Sequence, residues 1–218
     1  MSLELFAHPF SSYCQKVLIP LWANEIPFTY RMIAPDHPEN MEELNRRWPF
    51  GKFPVLVDDG ETIAESTSII EHLDTRHPGR HRWIPEGEAG RRTRFLDRFF
   101  DTYVMGNMQK AGNDVLRPED KRDPYGAELA RKELNLAYDW LEANLGDGPW
   151  AVGEEFTLAD CAAAPSLFYA DWIEEIGPSR PRLAAYRARL LAHPVVMRAV
   201  DEGRPYRPFF PLGAPDRD

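Results

Sequence analysis

Three short segments near the start of the chain place charge-binding side chains at the ends of regular elements. In HPFSSYCQKV a strand runs into a polar loop and then a helix, with Ser11 and Ser12 at the junction. A serine there caps the helix by accepting a bond from an orphan N–H. The same helix end, with free N–H groups and a positive dipole end, also stabilises a thiolate or carboxylate. Both readings stand, one serine each. In WPFGKFPVLVDDG, Pro54 opens a strand, where its missing N–H costs no ladder bond. An isolated X-Pro bond is ordinarily trans, whereas a cis bond is a deliberate feature of a tight turn. In ETIAESTSIIEHL, Ser66 stands just before an apolar-periodic run and reads as an N-cap. The alternative is a second anion site at that helix start, with Glu65 supplying a carboxylate to a cationic amine. A zwitterionic amino-acid head group would satisfy both residues.

The elements that position these residues follow from periodicity. Residues 2–7 alternate and read as a strand, and apolar positions from Ser12 to Ala23 recur at helical spacing around Pro20. A second strand is expected over 26–33 and a short charged helix over 39–47. Two strands joined by Asp58-Asp59-Gly60 lie within 53–64, and a helix spans 66–77. The segment HPGRHRWIPEGEAG has no period and reads as a linker. Beyond it no strand pattern appears, and long helices are expected near 87–112, 124–145, 157–173 and 181–202. The tail RPYRPFFPLGAPDRD is expected to pack without regular structure. The expected organisation is an α/β domain at 1–78, a linker at 79–86 and an all-helical domain at 87–218.

Composition narrows the function. The chain has 218 residues, 43% of them hydrophobic, enough for a buried core. A net charge of -9 and the lack of a long basic run argue against nucleic acid and against anionic membranes. No stretch approaches the roughly 20 apolar residues of a membrane helix. The start MSLELFAHPF lacks the basic opening of a signal peptide, so a cytoplasmic location is expected. A disulfide between Cys14 and Cys161 is not expected in such a setting. His8, His37, His72, His77, His81 and His193 show no metal-ligand spacing, and no metal is expected. A phosphate-binding glycine loop and a Gly-x-Ser-x-Gly elbow are missing from the sequence.

The three segments, in this order on a βαβ–ββα pattern, resemble the glutathione transferase superfamily. VGEEFTLADCAAAP adds to the likeness: Thr157 and Asp160 form a Thr-x-x-Asp capping box, flanked by Phe156 and Cys161 as a hydrophobic staple. It looks like the structural capping-box helix of that family's second domain. The resemblance implies a thioredoxin-like N-terminal domain, an all-α C-terminal domain, and glutathione as cosubstrate without a tightly bound cofactor.

It also implies roles. Ser11 matches the catalytic serine of the theta and zeta classes, which hydrogen-bonds the glutathione sulfur. Pro54 matches the family's cis proline, and the Phe53 backbone would pair with the cysteinyl part. Glu65 and Ser66 match the pair that holds the γ-glutamyl head. Lys52 matches a lysine that contacts the glycine carboxylate, with His37 or Asn40 as further candidates there. The implied reaction is attack of the thiolate on a small apolar electrophile, in a pocket drawn from Phe10, Tyr103, Met105, Met108, Trp172, Phe209 and Phe210. A glutathione-dependent isomerase, peroxidase or dehalogenase, or a non-catalytic binding module, is the alternative. Glutaredoxin-like chemistry is disfavoured, because serine stands at position 11 where Cys-Pro-Tyr-Cys proteins carry the nucleophile. A homodimer through the 66–77 helix and the next helix is implied, with Asp97 or Asp101 reaching the partner's γ-glutamyl site.

Overall fold

The computed structural model describes residues 2–218. Four strands form one sheet in the order β2-β1-β3-β4: β1 Leu3–Ala7, β2 Thr29–Met32, β3 Val55–Asp58 and β4 Glu61–Ala64. β1 and β2 are parallel and joined through helix α1 (Ser12–Ala23), while β1/β3 and β3/β4 are antiparallel. The β3–β4 connection is the two-residue turn Asp59-Gly60, with φ of 45° and 91°. Positive φ at both positions is what a tight hairpin turn matching strand twist requires. Glycine accepts that conformation without a Cβ penalty.

Alternation along the strands divides the side chains between two cores. Leu3, Leu5, Ala7 and Leu56 enter the larger core with α1 and with α3 (Ser66–Arg76). Phe6, Val55 and Val57 point to the other face, where Leu44 of α2 (Pro38–Arg47) covers them. α1 is buried on nearly all sides because it lies between the sheet and a helix of the second half, α7 (Leu158–Ile173). All residues of α7 are buried in turn, which explains its run of alanines: small side chains let neighbouring helices approach.

Everything after residue 86 is helical or irregular, apart from one bridge between Trp150 and Gly153. The fold is therefore a thioredoxin-like α/β part followed by an all-helical part. The segment between α3 and α4 (Gly87–Phe99) is pinned. Trp83 is buried, its N–H donates to Asp74 Oδ1 at 2.9 Å, and its carbonyl accepts from Leu158. α6 (Pro124–Asn144) starts at Asp123, whose carboxylate accepts from the Gly126 N–H.

Three expectations need correction. The helix expected over 87–112 contains a π-helical turn, Phe100–Met105, between α4 and α5 (Gly106–Asn113). The helix expected over 181–202 is two, α8 (Pro181–Ala192) and α9 (Pro194–Gly203). Pro194 forces His193 out of the helical region, to φ -73° and ψ 126°. The tail is not irregular throughout, because Arg204–Phe209 forms a 3-10 helix.

Candidate active site

The start of α1, the loop before β3 and the start of α3 meet α4 and the π turn around one cleft of about 620 Å³. Tyr13, Lys52, Phe53, Pro54, Glu65, Ser66, Asp97 and Asp101 are among its walls. The Phe53–Pro54 peptide is cis, as the resemblance implies. Five of the residues assigned to glutathione thus share one cavity. Its size suits a small organic ligand.

The strand-to-helix turn at Glu65 is strained. Glu65 occupies the N-cap position with φ 69° and ψ 122°, and Ser66 is the first helical residue, so Ser66 is not the cap that its sequence context suggests. A non-glycine residue held at positive φ costs on the order of 1–3 kcal/mol, and such residues cluster at ligand sites. The opening N–H groups of α3 have no partners within the helix. They and the dipole end favour a carboxylate at Ser66.

Ser11 occupies the N-cap position of α1, with its N–H bonded to the His8 carbonyl at 3.0 Å. Its side chain makes no capping bond. Helix capping therefore does not use the hydroxyl. Ser11 is not among the walls of the cleft, whereas Tyr13, one half-turn on, is. Cys14, which follows, is fully buried and accepts a bond from the His8 N–H at 3.4 Å. Burial pushes its thiol up to about 12, against the pull of the Ser11 hydroxyl and the His8 amide. It is a packed thiol, not a nucleophile.

Beneath the cleft lies a charge network that joins both halves of the chain. Lys16 is 1% exposed, and its Nζ lies 2.6 Å from Asp97 Oδ1 and 2.6 Å from Asp101 Oδ2. It also donates to Thr67 Oγ1 at 3.0 Å, and Thr67 donates on to Asp97 Oδ2 at 2.8 Å. Burial pushes the Asp101 carboxyl up, against the pull of Lys16, and Asp97 adds to the push. Tyr13 is raised as well, by burial first and then by Asp101, Glu65 and Asp97, so its phenol remains a neutral O–H donor. Glu65, Asp97 and Asp101 are gathered at this end of the cleft with the Lys16 ammonium beneath them and Arg98 beside Asp101, while Arg94 is paired with Glu71, so the carboxylates there can meet a ligand amine. Lys52, exposed at the other side, favours an anion.

Other predicted residues are not brought together. His37 sits at the N-cap of α2, 3.5 Å from Glu39, and Asn40 donates to the Met32 carbonyl at 2.8 Å; neither lines the cleft. The seven residues assigned to an electrophile pocket divide into separate groups. Phe10, Trp172 and Phe210 pack with Tyr169 into one aromatic cluster. Met105 and Met108 are buried, while Tyr103 and Phe209 are exposed. Sequence reasoning missed Tyr13 as a wall of the cleft. Asp97 and Asp101, expected to reach a partner's site, line the cleft of their own chain as well. One signal pointed to them: a lysine inside the buried run Cys14–Leu21 requires buried carboxylates nearby.

Residues 5–81 match the family model of the glutathione S-transferase N-terminal domain, and residues 119–189 match that of the C-terminal domain. The chain belongs to the glutathione transferase superfamily. It is 30% identical to human glutathione S-transferase theta-2B, over 88% of this chain and 82% of that protein. It is 24% identical to glutathione S-transferase GstB of Escherichia coli, over 91% of this chain and 97% of that one. Among solved structures, a glutathione S-transferase of Methylobacterium radiotolerans in complex with glutathione sulfonate superimposes with a TM-score of 0.79. That match has 25% identity and covers 92% of this chain and 95% of that one.

Proposed function

We propose that this glutathione transferase conjugates the glutathione thiolate to small apolar electrophiles, with Ser11 as the group that hydrogen-bonds the sulfur. The observation that carries the reading is the meeting, around one cleft, of the Phe53–Pro54 loop, the Glu65–Ser66 helix start and the first turn of α1. Glutathione has a zwitterionic γ-glutamyl end and a second carboxylate at its glycine. The acidic residues and the α3 N-terminus suit the first, and Lys52 suits the second. The cysteinyl sulfur would then lie toward the start of α1, where the Ser11 hydroxyl, which makes no capping bond and bonds the Cys14 sulfur, would exchange that partner for the thiolate, and the helix dipole favours the same charge. Each unit by which the bound thiol's pKa falls favours the thiolate by about 1.4 kcal/mol. The thiolate attacks the electrophilic carbon, the leaving group takes the displaced electron pair, and the thiol proton passes to solvent.

The aromatic cluster of Phe10, Trp172 and Phe210 adjoins the Ser11 loop, which supports an apolar second substrate. Two free, buried cysteines support a reducing, cytoplasmic setting. Exposed Phe95 and Tyr103 on the α4 side support a homodimer. The division into domains at 1–78 and 87–218 belongs to the same reading.

Initial rates with glutathione and an activated aryl halide test the proposal. The wild type should show saturable, glutathione-dependent turnover. Ser11→Ala should lower kcat by roughly one to two decades, from the loss of a bond to a charged group, and change the glutathione KM little. A wild type inactive toward aryl halides but active on hydroperoxides or cis-enones would replace conjugation with another reaction of the same thiolate.

A further inference from the structure

Outside the cleft, the fold gathers two of the six histidines with a carboxylate. Asp58 ends β3, and its position is fixed by pairing with Leu3 on one side and Glu61 on the other. His72 Nε2 lies 2.8 Å from Asp58 Oδ2, and His77 Nε2 lies 2.7 Å from the same oxygen. The three ligand atoms lie within 4.8 Å of one another.

The sequence spacing hides this cluster. Residues five apart on a continuous helix point about 140° away from each other. His77 escapes that geometry because α3 ends at Arg76. As the C-cap, His77 takes φ -128° and ψ 55° while its N–H stays bonded to the Leu73 carbonyl, and its ring faces the same carboxylate as that of His72.

We propose that Asp58, His72 and His77 form a binding site for one divalent transition-metal ion of the zinc type. Two imidazole nitrogens and one carboxylate oxygen are a donor set for zinc and its late first-row neighbours, and a poor one for calcium or magnesium, which take oxygen ligands. Bonds of about 2.1 Å in a tetrahedral shell place ligand atoms about 3.4 Å apart. Asp58 Oδ2 lies 2.8 Å and 2.7 Å from the two imidazole nitrogens, so these separations would have to widen by roughly 0.6–0.7 Å to take the ion. The three side chains are 12–14% exposed, which leaves a path for the ion and a fourth position for water. The bound ion would clamp the end of α3 to the β3–β4 hairpin, at the opposite end of the helix from Ser66. It acts as a brace and takes no part in the thiol chemistry.

The test uses untagged full-length protein, stripped with chelator and titrated with zinc by calorimetry. One zinc per chain is expected, with a thermal midpoint that rises on zinc addition. His72→Ala, His77→Ala and the near-isosteric Asp58→Asn should each weaken binding about tenfold or more and lose the zinc-dependent rise. Cobalt added to the wild type should give the visible absorption of a tetrahedral nitrogen–oxygen site, a readout that does not need the variants to fold. Absence of heat and of a cobalt spectrum in the wild type would overturn the proposal. So would equal zinc affinity in the wild type and Asp58→Asn, which would place the metal on other histidines.

Discussion

The Lys16 ammonium lies 2.6 Å from the Asp101 carboxylate, so the first helix of the α/β part is tied to the π turn of the helical part. Asp101 owes its place to that turn, since it is the second residue of Phe100–Met105. Single π turns inside longer helices occur often at functional sites. Lys16→Met would leave Asp97 and Asp101 buried without their ammonium. Removing one partner of a buried ion pair costs about 3–5 kcal/mol. Urea unfolding should show a lower midpoint, and a stability within 1 kcal/mol of wild type, on the scale of a minor surface change, would argue against a structural role for the network.

Asp160 is the polar anchor of α7. Its carboxylate accepts from the Ala151 N–H at 2.8 Å, the Thr157 N–H at 2.9 Å, the Thr157 hydroxyl at 3.1 Å and the Tyr186 hydroxyl at 2.7 Å. Asp160→Ala leaves these buried donors unpaired, at about 1–3 kcal/mol each. The expected outcome is a large loss of stability or failure to fold, read by thermal melting and soluble yield. Thr157→Ala should cost less, about 1 kcal/mol.

Cys14 supplies a pH dependence. In the unfolded chain its thiol ionises near the ordinary value of 9.0, while in the fold burial holds it protonated to about 12. Between these values the unfolded state has released a proton that the folded state retains, so stability falls as pH rises through 9 to 12. Cys14→Ala should lessen that slope, the remainder coming from other groups that burial raises, Cys161 and Tyr169 among them. Native protein at pH 8 should also resist iodoacetamide at Cys14 and react fully in urea, as peptide mass mapping would show.

Glu65 should act on affinity more than on rate. Glu65→Gln keeps the side-chain volume and removes the carboxylate proposed to meet the γ-glutamyl amine. A bond to a charged group is worth about 1.5–3 kcal/mol, or roughly one to two decades in Kd. Calorimetric titration with glutathione measures it, and an unchanged Kd would move the amine site to Asp97 or Asp101.

Much of this was legible in the residues. The Asp59-Gly60 turn, the alternation of β1 and the Pro54 strand start are local signals, and each lies where its chemistry predicts. Lys52, Phe53, Pro54, Glu65 and Ser66 share a cleft because they flank one hairpin and the helix after it. What escaped was set by tertiary contact or by local breaks. Tyr13, Asp97 and Asp101 converge only in the folded chain, where Lys16 of α1 pairs with Asp97 of α4 and Asp101 of the π turn. His72 and His77 converge on Asp58 only because α3 ends between them. The break at Pro194 was locally encoded, but the apolar period continuing from Leu190 to Val200 conceals it.

The central claim is that Ser11 lowers the pKa of bound glutathione, and the thiolate absorbance of the complex tests it most directly. Titrated against pH in wild type, Ser11→Ala, Ser12→Ala and Tyr13→Phe, the complex should show a depressed thiol pKa in the wild type and in the last two variants. In Ser11→Ala it should rise toward that of free glutathione. A rise in Ser12→Ala instead would shift the motif by one residue. A rise confined to Tyr13→Phe, with Ser11→Ala unchanged, would contradict the account and pass the role to the phenol that lines the cleft.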